Sequence, residues 1–447
     1  MNHNRKNERG VTILVVAFAL LGIISMAAIS VDLAELYVAR GEAQRAADAA
    51  ALAGAKMFVT SGFTSLQPAG APEADPTNVC QNGGPGLPQA ANVQAEAAAR
   101  QNTIAGQPAG VTSITCDTST NPENPQITVS VRNTAVPTFF AKIWGDTATT
   151  VSATAVAEAY NPSSDSAHPA NSTPIATSVK PWLVPDCNPG VAGCSGPFFV
   201  DPTSGNLLNN ASFIGTTINL TQISTGHGSS QNAPGLTFYP LRIPTTSPTQ
   251  PPLCPPCGAF GFGYRENIAC TSQFRMSCGE PISNADQVKI QPGFSGSTFN
   301  TRLGARCLIH ASSDGPNLGQ DVVVPATPPA RMPTIQGGTA NPDPFLIGVE
   351  NISRSDSIVT VPLYNENTPG TPLCSGGNCN SGHTVVTGFL QLAITQTFPP
   401  GAGGPPQLQA VILNASGCSP ASIAAYGSAT PVVGSGTTPV PVRLIHN

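Results

Sequence analysis

Charged side chains are scarce in this chain of 447 residues, of which only 10% are Asp, Glu, Lys or Arg. The formal net charge of −5 offers no overall attraction to nucleic acid, so we expect no nucleic-acid partner. Glycine and proline number 44 and 45, which falls short of a collagen-like composition, and 40% of residues are hydrophobic. This composition indicates a folded, loop-rich protein with room for two or three domains.

Catalytic and metal-binding motifs are also missing. No Gly-x-Ser-x-Gly elbow lies between a predicted strand and a predicted helix, and no phosphate-binding loop is present. None of the six histidines forms an i, i+4 metal-site pattern with a carboxylate. We therefore predict that the chain is not an enzyme, with no catalytic residue, no cofactor and no resident metal.

A long charge-free run lies near the N-terminus. It extends from Val11 to Val31 and comprises 21 residues. About 20 apolar residues are needed to cross a hydrocarbon layer of about 30 Å as a helix. We therefore predict a transmembrane helix at 11–31, with the lipid bilayer as a partner.

The charges beside this run predict its orientation. Residues 1–10 hold three basic side chains and one acidic side chain, whereas the first charges after the run are Asp32 and Glu35. The positive-inside rule then places 1–10 in the cytoplasm as a basic flank. The rest of the chain is expected on the far side of the membrane, tethered by one helix.

Cleavage by signal peptidase is the main alternative to retention. Ser25-Met26-Ala27 offers small residues at the spacing that this peptidase requires. The apolar run is nevertheless longer than a usual signal-peptide core, and the helical pattern continues through the cleavage point. We favour an uncut span.

The helical pattern continues past the run as an alanine-rich segment without proline, to about Phe58. At 100° per residue, one stripe of this segment consists mostly of small side chains. Such a stripe allows another helix or a sheet to approach closely, and a neighbouring pilin-like helix is one candidate. The stripe residues are Leu36, Ala39, Ala43, Ala47, Ala50 and Gly54.

The segment 32–160 shows mixed helix and strand patterns. A second helix is predicted near 89–104, and alternating apolar residues predict strands at 127–131 and 151–157. Between these strands, PTFFAKIWG predicts a short helix with Pro137 near its start and Gly145 just past its end. A small antiparallel sheet packed on the helices would bury all these faces, so we predict an α+β module.

The N-terminal sequence resembles a known family. The string VDLAELYVARGEAQRAADAAALAGA, above all its part from Gln44 through Asp48 to Gly54, is similar to TadG-like proteins of the Flp pilus, or tight adherence, system. VPTFFAKIWGDTATTVSATAVAEA is similar to the end of that module, so the resemblance covers about 9–160. It implies a pilin-like module anchored in the inner membrane of a bacterial envelope, with pilin-like or Tad-system envelope proteins as partners.

Two features of the wider family are absent. Type IV prepilins are cut after a glycine and carry glutamate five residues later, but Gly10 is followed by Val11 to Val15 without glutamate. Prepilin-type processing and entry into a filament are therefore not expected. The Asp-x-Ser-x-Ser metal site of a von Willebrand A domain, which some TadG proteins carry, is also missing.

The C-terminal half contains a polar stretch followed by short β-type runs. Residues 161–180 are polar and proline-bearing, which predicts a linker. Across 181–447, short β-type runs alternate with turn residues, so we predict a mostly-β sandwich or barrel. Pro240 and Pro362 interrupt two of these runs, which suggests edge strands.

All twelve cysteines lie after the apolar run, where an even number suggests disulfides in an oxidising compartment. Cys187/Cys194 and Cys374/Cys379 are close enough in sequence for local bridges. Zinc binding by four thiolates, or a redox pair in the Cys254-Pro-Pro-Cys257 motif, remains an alternative for part of the set. The candidate disulfide cysteines are Cys80, Cys116, Cys187, Cys194, Cys254, Cys257, Cys270, Cys278, Cys307, Cys374, Cys379 and Cys418.

These patterns predict an α+β protein: a transmembrane helix that continues into a pilin-like module, then a disulfide-braced β region. We expect a non-catalytic accessory protein of Flp/Tad-type pilus assembly or surface adhesion, whose β region contacts a surface ligand or partner. An exported binding module or hydrolase released by signal peptidase is the alternative, and a structural pseudopilin is a third hypothesis.

Overall fold

A computed structural model gives the structure of the protein. It describes residues 8–60, 63–65, 79–80, 90–118, 124–145, 147–159, 172–177, 179–190, 197–205, 207–208, 213–223, 235–244, 263–270, 274–283, 286–290, 297–324, 334–350, 352, 355–365, 373, 383–399, 408–424, 426–427, 430–433, 440 and 442–445.

The longest element is one continuous helix, α1 (Glu8–Thr60), of 53 residues. At about 1.5 Å per residue it measures about 80 Å. No proline interrupts this sequence, and its many alanines and leucines favour helix. The predicted helix, which runs without a break from the apolar stretch into the first module, is therefore present.

The first module joins the outer half of α1 to a second helix, α2 (Ala90–Arg100), and to a four-stranded antiparallel sheet. The sheet order is β20-β5-β4-β3. Apolar side chains of β4 face the helices and are fully buried, which is the predicted alternation. The strands are β3 (Gly110–Asp117), β4 (Gln126–Pro137), β5 (Ala148–Ala159) and β20 (Val442–Ile445).

A small hairpin ties this sheet to α1. Its strands β1 (Thr103–Ile104) and β2 (Gln107–Pro108) are joined by Ala105 and Gly106, both with positive φ. Such a two-residue turn suits glycine but strains alanine. The Ala105 N–H donates to a carboxylate oxygen of Glu42 on α1 at 2.7 Å, which holds the turn in place.

The C-terminal region is built around a closed six-stranded barrel. Around it the order is β9-β7-β15-β17-β18-β8, and a parallel β8–β9 pair, with Leu220 opposite Leu236, closes the circle. Fully buried side chains such as Trp182, Phe238 and Leu392 fill the core. The strands are β7 (Trp182–Pro185), β8 (Thr217–Gln222), β9 (Leu236–Arg242), β15 (Ile358–Tyr364), β17 (Gly388–Thr397) and β18 (Leu408–Gly417).

Short strands and helices surround the barrel. β6 lies between β10 and β19 in a three-stranded sheet, β11 pairs with β16, β12 extends the barrel at β9, and β13 pairs with β14. The strands are β6 (Ser172–Thr177), β10 (Arg275–Ser277), β11 (Pro281–Ile282), β12 (Lys289–Ile290), β13 (Val322–Val324), β14 (Thr334–Gln336), β16 (Thr384–Val385) and β19 (Thr430–Val433). The helices are α3 (Gly263–Ala269), α4 (Ser297–Leu308) and α5 (Pro420–Ala424), with 3-10 helices at Phe63–Ser65 and Ala141–Trp144.

The α+β class, with a long N-terminal helix and a mostly-β remainder, is confirmed. The prediction of edge strands from Pro240 and Pro362 is wrong, because both prolines lie in barrel strands that have neighbours on each side. The pairing of β15 with β7 begins at Leu363, one residue after Pro362, so the proline lies at the start of that ladder, where its missing N–H is tolerated.

Two further differences concern the C-terminal half. The second part of the predicted linker forms strand β6, and Val179 and Lys180 are buried, so 161–180 is not a linker throughout. Helices α3 and α4 were not expected from the sequence. The buried face of α4 includes Asn300 and Thr301, which interrupt the apolar period that would have indicated a helix.

Candidate functional site

Helix α1 has two halves with opposite surroundings. The first half is long and apolar enough to cross a membrane, and only 6% of its most apolar segment is buried in the protein. Its large apolar side chains are 46% to 73% exposed, which is unlike the core helix of a soluble domain. They are Val11, Ile13, Leu14, Val15, Val16, Phe18, Leu20, Leu21, Ile23, Ile24, Met26, Ile29, Val31, Leu33, Tyr37 and Val38.

The second half of α1 carries the small-residue stripe, and the structure buries it. Ala39, Ala43, Ala47 and Ala50 are at most 2% exposed, and Leu36 packs at the edge of the same core. Across from them lie apolar residues of the module's sheet and alanines of α2. Small side chains let α1 approach both elements closely.

Gly54 marks the closest approach in this stripe. A Cβ placed there would lie 2.5 Å from Cδ1 of Ile127 and 3.3 Å from the carbonyl oxygen of Ala91. A larger side chain here would require the terminal methyl of Ile127 to move, so space rather than backbone angle favours glycine. The stripe forms the core of the module itself, and we assign it to that role rather than to a contact with a neighbouring pilin-like helix.

The outer end of α1 is joined to the barrel by a buried amide. Nδ2 of Asn414, on β18, donates to the carbonyl oxygen of Val59 and to Oγ1 of Thr64, both at 3.0 Å. The last carbonyls of a helix have no partner within the helix, so Asn414 satisfies one of them. The one sequence feature that points to this residue is its position, an amide at the end of the β-type run LQAVILN.

The C-terminal strand also returns to the first module. β20 pairs with β5, placing Val442 opposite Ala159 and Ile445 opposite Val156. Nε of Arg443 lies 2.5 Å from a carboxylate oxygen of Glu158. Within the part of the chain that the structure describes, the Asn414 contact and β20 therefore both join the C-terminal region to the first module.

Disulfides brace both modules. Cys80 is bonded to Cys116 in the first module, and Cys278 is bonded to Cys418 beside the barrel. Cys187, Cys270 and Cys307 are also disulfide-bonded. The remaining candidates Cys194, Cys254, Cys257, Cys374 and Cys379 lie outside the described residues. Because Cys270 and Cys278 are in disulfides, neither is available for the four-thiolate zinc alternative.

One polar cavity of about 390 Å³ lies beside α3 and α4. Arg265, Arg306 and His310 line it, and Nε2 of His310 lies 2.7 Å from a carboxylate oxygen of Asp356. Among the described residues, no three His, Cys, Asp or Glu side chains are grouped to hold a metal ion. Two arginines give this depression a cationic lining. The hydroxyl of Ser312, which also lines it, donates to the carbonyl oxygen of Leu318 at 3.2 Å, and Cys307 is in a disulfide.

Comparison with known proteins gives one family. Residues 10–57 match the family model described as "Putative Flp pilus-assembly TadE/G-like". This match lies entirely within α1 and covers the apolar run and the whole small-residue stripe. The family resemblance seen in the N-terminal sequence is thus confirmed for this segment. No curated protein and no solved structure matches the chain.

Proposed function

We propose that this protein is a single-pass, non-catalytic accessory component of a Flp/Tad-type pilus-assembly or surface-adhesion system. It lies in the inner membrane of a bacterial envelope. Residues 1–10 lie in the cytoplasm, 11–31 cross the bilayer, and both folded modules stand on the periplasmic or extracellular side.

One observation carries this proposal. The segment similar to TadE/G-like pilus-assembly proteins coincides with a helix whose inner half is apolar and exposed, and whose outer half is packed into a folded module. Exposed apolar surface of this length is costly in water but favourable in lipid. The helix is therefore suited to hold a folded body at a fixed distance from the membrane.

The orientation follows from charge and from the cysteines. The basic flank precedes the span, and Asp32 and Glu35 follow it, which is the distribution expected for a cytoplasmic N-terminus. The bonded pairs Cys80–Cys116 and Cys278–Cys418 both follow the span. Disulfides persist in oxidising compartments, so they support an exported position for both modules.

An accessory role, rather than a catalytic one, is supported by what the polar side chains do. Asp186 accepts three backbone N–H groups, and Asp321 accepts from Gly338, Asn341 and Ser355. These carboxylates hold loops in place. The partners of the protein are then the bilayer and pilin-like or Tad-system envelope proteins that reach α1 within it, while the barrel contacts a surface or an envelope partner.

Arginine substitutions in the span test the anchor on which this function rests. Leu20 and Leu21 lie at the centre of 11–31, where each arginine costs about 3 kcal/mol on insertion scales. We expect the double variant Leu20→Arg/Leu21→Arg to leave the membrane fraction and to fail to restore pili and surface adherence to a deletion strain. The matched control Leu20→Ala/Leu21→Ala should restore both.

Two results would oppose the proposal in different ways. Normal piliation and adherence in the deletion strain would remove the pilus role. Full activity of the arginine variant, recovered as a soluble protein, would instead favour the released binding module or hydrolase.

A further inference from the structure

The first charged residue after the span holds a distant loop. The carboxylate of Asp32 accepts the backbone N–H groups of Phe139 at 2.9 Å, Phe140 at 3.1 Å and Ala141 at 2.7 Å. These residues open the 3-10 helix Ala141–Trp144, whose first N–H groups have no partner within the helix. The burial that accompanies this contact raises the pKa of Asp32, but the three N–H groups outweigh it and hold the pKa below its ordinary value.

The contact with Asp32 sets the depth of the loop at Phe139 relative to the proposed span. Asp32 directly follows Val31, so it lies about 1.5 Å along the helix axis from the end of the span. The headgroup layer on each side of the hydrocarbon is about 5 to 8 Å thick. The backbone N–H of Phe139 lies 2.9 Å from the Asp32 carboxylate, so with 11–31 across the hydrocarbon it lies within this layer.

The side chains of this loop suit such a layer. Phe139 is 59% exposed, although it is among the larger apolar side chains of the module. Lys142 is also exposed, two residues into the same 3-10 helix. Aromatic rings are favourable at membrane interfaces, and lysine complements anionic lipid phosphates.

We propose that residues 138–145 form a second membrane contact, in which Phe139 enters the lipid interface and Lys142 meets phosphate headgroups. The occupant of this surface is the phospholipid leaflet that surrounds the span, because the surface is continuous with the lipid-exposed side of α1. This inference rests on the proposed anchor. The span and residues 138–145 together would hold the first module against the bilayer and restrict its rotation about the helix.

Site-directed spin labelling of the full-length, disulfide-intact chain in liposomes of phosphatidylethanolamine and phosphatidylglycerol tests this contact. One nitroxide is attached at a time, in Phe139→Cys, Leu20→Cys or Phe345→Cys, and its accessibility to oxygen and to a water-soluble nickel chelate is measured. Phe345 is 85% exposed and lies in the C-terminal region, so it serves as the aqueous control. We expect the oxygen-to-nickel ratio at 139 to lie between the high ratio at 20 and the low ratio at 345.

The outcomes separate this proposal from the anchor. A low oxygen-to-nickel ratio at 139, equal to that at 345, together with a high ratio at 20 would overturn the second contact and leave the anchor intact. A low oxygen-to-nickel ratio at both 139 and 20 would contradict the anchor as well. Exclusion of both reagents at 139 would indicate a protein partner or a second copy on this surface, which also overturns the lipid contact.

The Asp32→Ala variant adds a structural readout. Loss of its carboxylate frees the loop, so the label at 139 should become more mobile and its ratio should shift toward the aqueous control, while the label at 20 stays unchanged. An unchanged spectrum at 139 would contradict the role of Asp32 in holding the loop at the interface.

Discussion

Lys180 is buried beside the barrel, where its Nζ lies 2.7 Å from the carbonyl oxygen of Ile268 and 3.0 Å from that of Cys270. Burial lowers the pKa of Lys180 from 10.5 to about 7, although the negative charge of Asp356 opposes this shift. A neutral amine still has two N–H donors, so it can serve both carbonyls without a buried charge. A single side chain thus makes the stability of the C-terminal region depend on pH.

The sign of that dependence is fixed. Between pH 7 and 10.5 the Lys180 amine is protonated in the unfolded chain and neutral in the folded chain. The free energy of unfolding should therefore rise with pH across this window, by at most about 1.4 kcal/mol per pH unit.

We expect the melting temperature of the full chain in detergent to rise from pH 7 to 9.5. Lys180→Met should flatten this rise, and Lys289→Met, on β12, should keep it. A wild-type slope retained in Lys180→Met would contradict the assignment.

At the scale of elements, the packing of α1 on the sheet depends on Gly54. Alanine at this position places Cβ against Cδ1 of Ile127, while helix propensity favours alanine over glycine by about 1 kcal/mol. We expect Gly54→Ala to lower the melting temperature, since an overpacked core costs about 1 to 3 kcal/mol. At Gly41, with open space around it, the same substitution should raise the melting temperature.

A double-mutant cycle isolates the close contact. Ile127→Val removes Cδ1, so Gly54→Ala should be less destabilising in that background than in the wild-type chain. Equal effects of Gly54→Ala in the two backgrounds would show that Ile127 does not set the limit on size.

Elements were predicted to the extent that local chemistry determines them. The lack of proline predicted α1, and the lack of charge at 11–31 predicted its apolar part. The alternation at Ile127, Val129 and Val131 predicted β4. The small-residue stripe predicted close packing but not the element that packs on it. The sheet of the first module that covers the stripe begins only at Gly110, well beyond the range of a local pattern. Asp32 and Phe139 lie more than 100 residues apart, so no local pattern could place them together.

At the scale of the whole molecule, Asn414 holds the barrel against the end of α1. Asn414→Ala leaves the carbonyl of Val59 without this donor, and we expect a loss of about 1 to 3 kcal/mol in the free energy of unfolding. Thr64→Val removes only the second acceptor, so its loss in the free energy of unfolding should be smaller. The measurement is thermal unfolding of the full chain in detergent. A loss in Asn414→Ala no larger than that in Thr64→Val would contradict the capping role.

The arrangement of the two modules was the least predictable feature. Barrel closure depends on β8 meeting β9, and β20 crosses from the C-terminus to the first sheet. Neither pairing has a signature in local sequence, which is why Pro240 was expected at an edge and 161–180 as a linker. The cysteine count predicted disulfides but not their partners, since spacing alone does not distinguish Cys278–Cys418 from a local bridge.

The central claim is an uncut span that carries both modules outside the cytoplasm, and the mature N-terminus tests it most directly. Tryptic cleavage after Arg9 and Arg40 releases one peptide, Gly10–Arg40, which contains the whole apolar run. Mass spectrometry of fractionated cells should recover this peptide intact from the membrane fraction. A chain that begins near Ala28, found in the periplasm or the medium with no intact peptide in the membrane, would contradict the account.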